Sequence, residues 1–159
     1  MTEQQVRETL VAHGVPESIL AVWGDMQSPL RYFSFNKPNF SLAEALEDLV
    51  PGLRGLCPIF EQNGEAVIGY LPQGGRFIRY YYEDGQEGDA AIELLGLGYQ
   101  QFVSSILLKF EEAGMSEYFD ELVSVLHFKR GAEFRGLLDA DPYDEGAVED
   151  FHSKLAVGQ

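Results

Sequence analysis

Leu56-Cys57-Pro58-Ile59-Phe60-Glu61-Gln62-Asn63-Gly64-Glu65-Ala66-Val67-Ile68-Gly69-Tyr70 is the stretch that decides how this chain folds. Two short apolar runs flank Asn63-Gly64. A two-residue hairpin turn needs positive φ at both central positions, which Asn tolerates and Gly adopts freely. The spacing predicts a strand over 56–60, a tight turn, and a second strand over 66–71. Pro72-Gln73-Gly74-Gly75 then turns the chain into Phe77-Ile78-Arg79-Tyr80-Tyr81-Tyr82, a third strand. Turns this short leave room only for hairpins, so the three strands are expected as antiparallel neighbours. Alternation sets Phe77, Arg79 and Tyr81 on one face and Ile78, Tyr80 and Tyr82 on the other. Both faces are aromatic. One is expected to pack on helices, and the other to be covered or to form a binding surface.

Outward from these strands the apolar period becomes helical. Upstream, Thr2-Glu3-Gln4-Gln5 reads as a capping box ahead of Val6, Leu10 and Val11, with Gly14 as the stop. Pro16 opens a short helix carrying Ile19, Leu20 and Trp23. The segment Ser28 to Asn39 fits a strand or an ordered loop, bracketed by Pro29 and Pro38. Ser41-Leu42-Ala43-Glu44 reads as a second capping box before Ala45, Leu46 and Leu49, ended by Pro51-Gly52. Downstream, Glu83 to Asp89 is an acidic loop and Ile92 to Leu95 a short return strand. Tyr99, Phe102, Val103, Ile106 and Phe110 then mark an amphipathic helix. Gly114 ends it, Ser116 is the expected cap of the next helix, and Phe119, Leu122, Val123 and Leu126 continue the apolar face. Further helices are expected over 132–138 and 147–155, with an acidic loop from Asp139 to Glu145 between them. Together these readings give one α+β domain over 1–159, with a small antiparallel sheet, helices before and after it, and a helical extension from about 115.

Composition bounds the function. The chain has 159 residues, 45% of them hydrophobic, enough for one domain with a real core. Twenty-six acids against eleven bases give a net charge of −15. That field repels phosphate backbones and anionic lipid, which argues against nucleic acid and membrane as partners and in favour of solubility or a basic protein. The single cysteine, Cys57, excludes an intramolecular disulfide and reads as a buried thiol. The N-terminus lacks the pattern of a signal peptide, and no apolar run approaches the roughly 20 residues that span a bilayer. A cytoplasmic location is expected.

The residue types that carry catalysis are not grouped. His13, His127 and His152 stand far apart, with no metal-ligand spacing. Asp139, Asp141 and Asp150 fall at calcium-loop spacing, but Tyr143, Asp144 and Pro142 occupy positions that such a loop needs otherwise, so a solvated acidic loop is expected. Gly74-Gly75-Arg76 and Leu95-Gly96-Leu97-Gly98 lack the context of phosphate or dinucleotide loops and read as turns. No G-x-S-x-G is present, and Ser104-Ser105 fall inside a helix. No catalytic residue, metal ligand or cofactor site is nominated. The nominated surface is for a partner: Tyr80, Tyr82, Glu83, Asp84, Glu87 and Asp89, where rings supply contact area and carboxylates attract Arg or Lys.

The runs Phe40-Ser41-Leu42-Ala43-Glu44-Ala45-Leu46, Leu56 to Ala66 and Tyr99-Gln100-Gln101-Phe102-Val103 resemble the SUKH superfamily over about residues 40–112. That superfamily includes a yeast cell-wall-synthesis regulator and many bacterial proteins. The resemblance implies an α+β domain without catalytic activity. Many bacterial members are immunity proteins that bind and neutralise toxins, often basic nucleases. The leading expectation is thus a non-enzymatic binding domain that masks a toxin. Its alternatives are a regulatory adaptor for a host protein and, from a third class, a small hydrolase or metal-dependent enzyme.

Overall fold

At Asn63 and Gly64 the chain takes positive φ, 53° and 72°, and the Glu65 N–H donates to the Gln62 carbonyl. This turn joins β2 (Cys57–Gln62) to β3 (Ala66–Leu71). Gln62 pairs with Ala66, so three residues lie between the paired strands where the sequence suggests two. The computed structural model describes residues 1–21, 23, 28–33, 35–82 and 91–156. Within them, β3 pairs antiparallel with β4 (Arg76–Tyr81), and β4 with β5 (Ile92–Gly96). A two-residue β1 (Phe35–Asn36) joins the far side of β2, giving the order β1-β2-β3-β4-β5. The ambiguous segment after Ser28 is a 3-10 helix, Pro29–Phe33, followed by this short strand.

The fold is α+β, with helices before and after the sheet. Every residue of the central strand β3 is buried, because both faces of the sheet are covered. One face carries Ile68, Tyr70, Phe77 and Leu95 against α1 (Glu3–Ala12), α2 (Glu17–Ala21) and α4 (Tyr99–Glu112). The other carries Val67, Leu71, Ile78 and Tyr80 against α3 (Phe40–Leu49) and the 3-10 turn Pro51–Leu53. In α4, Phe102, Val103, Ile106 and Phe110 are all buried, as their spacing predicts, and Phe102 stacks on Phe77 at 4.8 Å. Gly96 makes this possible: a Cβ there would stand 2.5 Å from the Phe102 backbone nitrogen, so only glycine lets α4 begin so close to β5.

Two caps differ from expectation. The Thr2 capping box forms, but α3 is capped by Asn39, whose side chain accepts from the Leu42 N–H at 3.0 Å. Asn caps as well as Ser, and the earlier start puts Phe40 inside the helix, edge-on to Trp23 at 5.6 Å. Ser116 does not cap a helix. It opens a 3-10 turn, Ser116–Tyr118, and α5 (Phe119–Val125) follows with no side-chain cap. That start buries Phe119 and Leu122 together. Beyond it, α6 (Gly131–Leu138) and α7 (Glu145–Leu155) send Phe134, Phe151 and Leu155 into the same core as α1 and α4. The C-terminal extension is therefore docked on α4 and continues the core on that side of the sheet. Among the described residues, no helix is long and apolar enough to cross a membrane.

Candidate functional site

The tyrosine-rich strand gives its rings mostly to the interior. Tyr80 is 6% exposed and belongs to the core under α3, so its ring cannot be a contact surface. Tyr82 is half-buried, and its hydroxyl reaches Glu61. Arg79, only 9% exposed, donates to Glu93 on the neighbouring strand through Nε at 2.8 Å and lies over the Tyr81 ring. Lys109 of α4 reaches the same carboxylate at 3.4 Å. These ion pairs tie β4 and α4 to β5, the edge strand of the sheet. Glu83, Asp84, Glu87 and Asp89, the carboxylates nominated beside this strand, lie outside the described residues.

A second combination of tyrosines and carboxylates sits at the helical end of the molecule. Tyr32, 57% exposed, stacks on Tyr118 with ring centroids 4.6 Å apart. The hydrogen bond to Tyr32, with Glu117 nearby, raises the Tyr118 hydroxyl pKa to about 12. Tyr118 leads into Phe119, and the Arg135 guanidinium lies 4.7 Å over the Phe119 ring. Arg135 grips Glu111 through Nη1 and Nη2 at 3.0 and 2.9 Å and Asp139 through Nε and Nη2 at 3.0 and 2.6 Å. These two carboxylates hold the Arg135 proton more tightly than usual. Tyr143 is 50% exposed. Partial burial and the field of Glu145, Glu112, Glu111 and Glu149 raise its pKa. The C-terminal end of α4, the N-terminal end of α7 and the acidic loop between α6 and α7 thus converge on one surface. Rings supply its contact area, and Arg135 offsets only part of its negative charge.

This placement follows from local rules. Asp144 caps α7 by accepting from the Ala147 N–H at 3.1 Å, so Glu145 and Glu149 fall on its first turns, where the helix dipole favours carboxylates. Glu111 and Glu112 close α4, where the dipole opposes them, which is what Arg135 partly relieves. Reading α4 as one amphipathic helix and Asp139 to Glu145 as an acidic loop is possible from sequence. That they meet at Tyr143 is not, because it depends on how α6 and α7 return across α4.

One serine–histidine pair has an outward likeness to catalytic chemistry. Ser104 Oγ lies 2.6 Å from His152 Nδ1. Ser104 is 1% exposed, and its hydroxyl donates to the Gln101 carbonyl at 2.7 Å, so it accepts from the imidazole. Gln101 also donates to the His152 carbonyl at 3.0 Å. The group pins α7 to α4, and burial lowers the His152 pKa. Cys57 is fully buried, and burial, with Glu47 nearby, pushes its thiol up to about 11, far from a thiolate nucleophile at neutral pH. Among the described residues no three His, Cys, Asp or Glu side chains are grouped to hold a metal ion. No family model matches the chain, and no curated protein or solved structure matches it significantly.

Proposed function

We propose that this chain is a cytoplasmic, non-enzymatic protein-binding domain whose helical end docks a basic protein. The observation that carries the reading is the exposed Tyr143 ring among Glu111, Glu112, Glu145 and Glu149, on a chain of net charge −15. Exposed rings on a rigid scaffold give contact area at little entropic cost, and unscreened carboxylates steer Arg and Lys toward them. A second candidate of the same chemistry comes from the sequence alone: Tyr82 is followed by the acids Glu83, Asp84, Glu87 and Asp89.

The resemblance to SUKH proteins gives the partner its class: a basic, nuclease-type toxin that the chain neutralises by covering it. A regulatory adaptor would use the same surface on a host protein. The two readings separate by co-expression. The product of an adjacent gene is expressed with and without this chain, and cell survival and co-elution are followed. Toxin neutralisation predicts rescue by a stoichiometric complex. Co-elution with a harmless partner favours the adaptor, and rescue without any complex contradicts both.

A further inference from the structure

We infer that Arg54, Arg76 and Gln73 form a binding site for the phosphoryl group of a small ligand, in the cleft between the β3–β4 turn and the segment after α3. The cleft has a volume of about 360 Å³ and is lined by Pro51, Gly52, Arg54, Leu71, Gln73, Gly74 and Arg76. It exists because Leu53 and Leu71 are both anchored in the core under α3, which brings the segment carrying Arg54 against the turn carrying Gln73. Gly74, at φ +92°, shapes the turn. A Cβ there would stand 3.4 Å from Arg76 Nε, so the arginine side chain is laid along the glycine.

What sets these two arginines apart is the absence of a counter-ion. Arg7 pairs with Glu3, Arg79 with Glu93, Arg130 with Glu133 and Arg135 with Glu111 and Asp139, while Arg31 donates to Asn36. Among the described residues, neither Arg54 nor Arg76 has a carboxylate within ion-pair distance. In a chain with 26 acids to 11 bases, two cations in one cleft without an acid are out of keeping with the rest of the surface. They repel each other until an anion enters.

Ligand chemistry follows from the guanidinium. Each arginine offers a planar fork of N–H donors that matches two oxygens. A carboxylate has two oxygens and one charge to share between two forks. A phosphoryl group has three oxygens and a charge of about −1.5 to −2 at neutral pH, which suits both forks at once. The Gln73 amide adds a neutral donor. A cleft of this size is at the small end for ligand sites and fits a phosphate or a small phosphate monoester. The Gly74-Gly75-Arg76 run is not a phosphate loop of backbone donors. Here the side chains do the binding, and the glycine provides the turn. The long-range field of the chain opposes anions, but beyond about 8 Å it is screened at physiological ionic strength, so the site acts through contact.

The test is an NMR titration of the intact chain at fixed ionic strength, following arginine Nε–H resonances as inorganic phosphate, glycerol phosphate and malonate are added in turn. The Arg54 and Arg76 signals are expected to move together and saturate with both phosphates, while Arg130 stays in place. Arg54→Gln or Arg76→Gln each weakens binding by roughly tenfold or more, as loss of a charged bidentate contact should. Unchanged thermal unfolding in both variants keeps the comparison clean. Tighter binding of glycerol phosphate assigns a ligand-borne phosphoryl group, and tighter binding of inorganic phosphate assigns the free ion. Shifts that never saturate, or that Arg130 shares, overturn the site. Malonate binding as tight as phosphate overturns the phosphoryl assignment.

Discussion

Tyrosines occupy two contrasting places in this molecule, strand β4 and the helical end. In β4 the backbone fixes which side chains face which layer, and both layers are covered, so Tyr80 became core. At the helical end Tyr32 and Tyr143 sit on a 3-10 turn and a loop, with no second layer above them, and half or more of each remains exposed. The same residue type supplies stability in one place and contact area in the other. What separates them is whether a further element packs across the ring. An aromatic strand in a two-sided sheet is therefore weak evidence for a docking site, and an aromatic in an acidic loop is stronger.

The contrast can be broken by mutation. Phe102→Ala, beneath the sheet, should cost roughly 3–5 kcal/mol in chemical denaturation. A loss below about 1 kcal/mol would mean that α4 is not the element holding that face. Tyr80→Ala should cost about 2–4 kcal/mol, whereas Tyr143→Ala should stay within about 0.5 kcal/mol of the parent. Equal costs at the two positions would erase the distinction between the two kinds of tyrosine.

Acid should sharpen it further through His152. Burial lowers its pKa below the ordinary 6.5, so the unfolded chain takes up the proton first. Its contribution to stability is therefore intact above about pH 6.5 and is lost as the pH falls from there through the folded-state pKa. His152→Gln should show a flatter fall in unfolding free energy over that window. Parallel pH profiles would show that the imidazole between α4 and α7 does not resist protonation. The smallest effect is expected from amide replacement of Glu83, Asp84, Glu87 and Asp89 together, which should change stability by less than about 0.5 kcal/mol, since the ion pairs of Arg79, Arg130 and Arg135 use other carboxylates.

The strands were the most legible part of the sequence. Asn63-Gly64 and the β3 run of Ala66 to Leu71 have a local physical cause, and the structure places β3 at those residues. Helix starts were less legible where two capping residues competed, as with Asn39 and Ser41. The helical-end surface was legible only in pieces. Tyr143 and its neighbouring acids are visible as a loop, but Glu111 and Glu112 lie some thirty residues earlier, and only the return of α6 and α7 over α4 joins them. Arg54 and Arg76 meet for the same reason, through a shared core rather than a shared motif.

The helical end is tested most directly by association kinetics with the basic product of an adjacent gene, measured by stopped flow at low and physiological salt. Two variants are compared with the parent: Tyr143→Ala combined with Glu112→Gln, Glu145→Gln and Glu149→Gln, and the fourfold amide variant of Glu83, Asp84, Glu87 and Asp89. The helical-end variant should associate about tenfold or more slowly at low salt, lose most of its salt dependence, and dissociate faster through loss of the Tyr143 contact. The loop variant should show the smaller change. A helical-end variant that binds like the parent while the loop variant is slowed would contradict this assignment and move the contact to the tyrosine-rich strand.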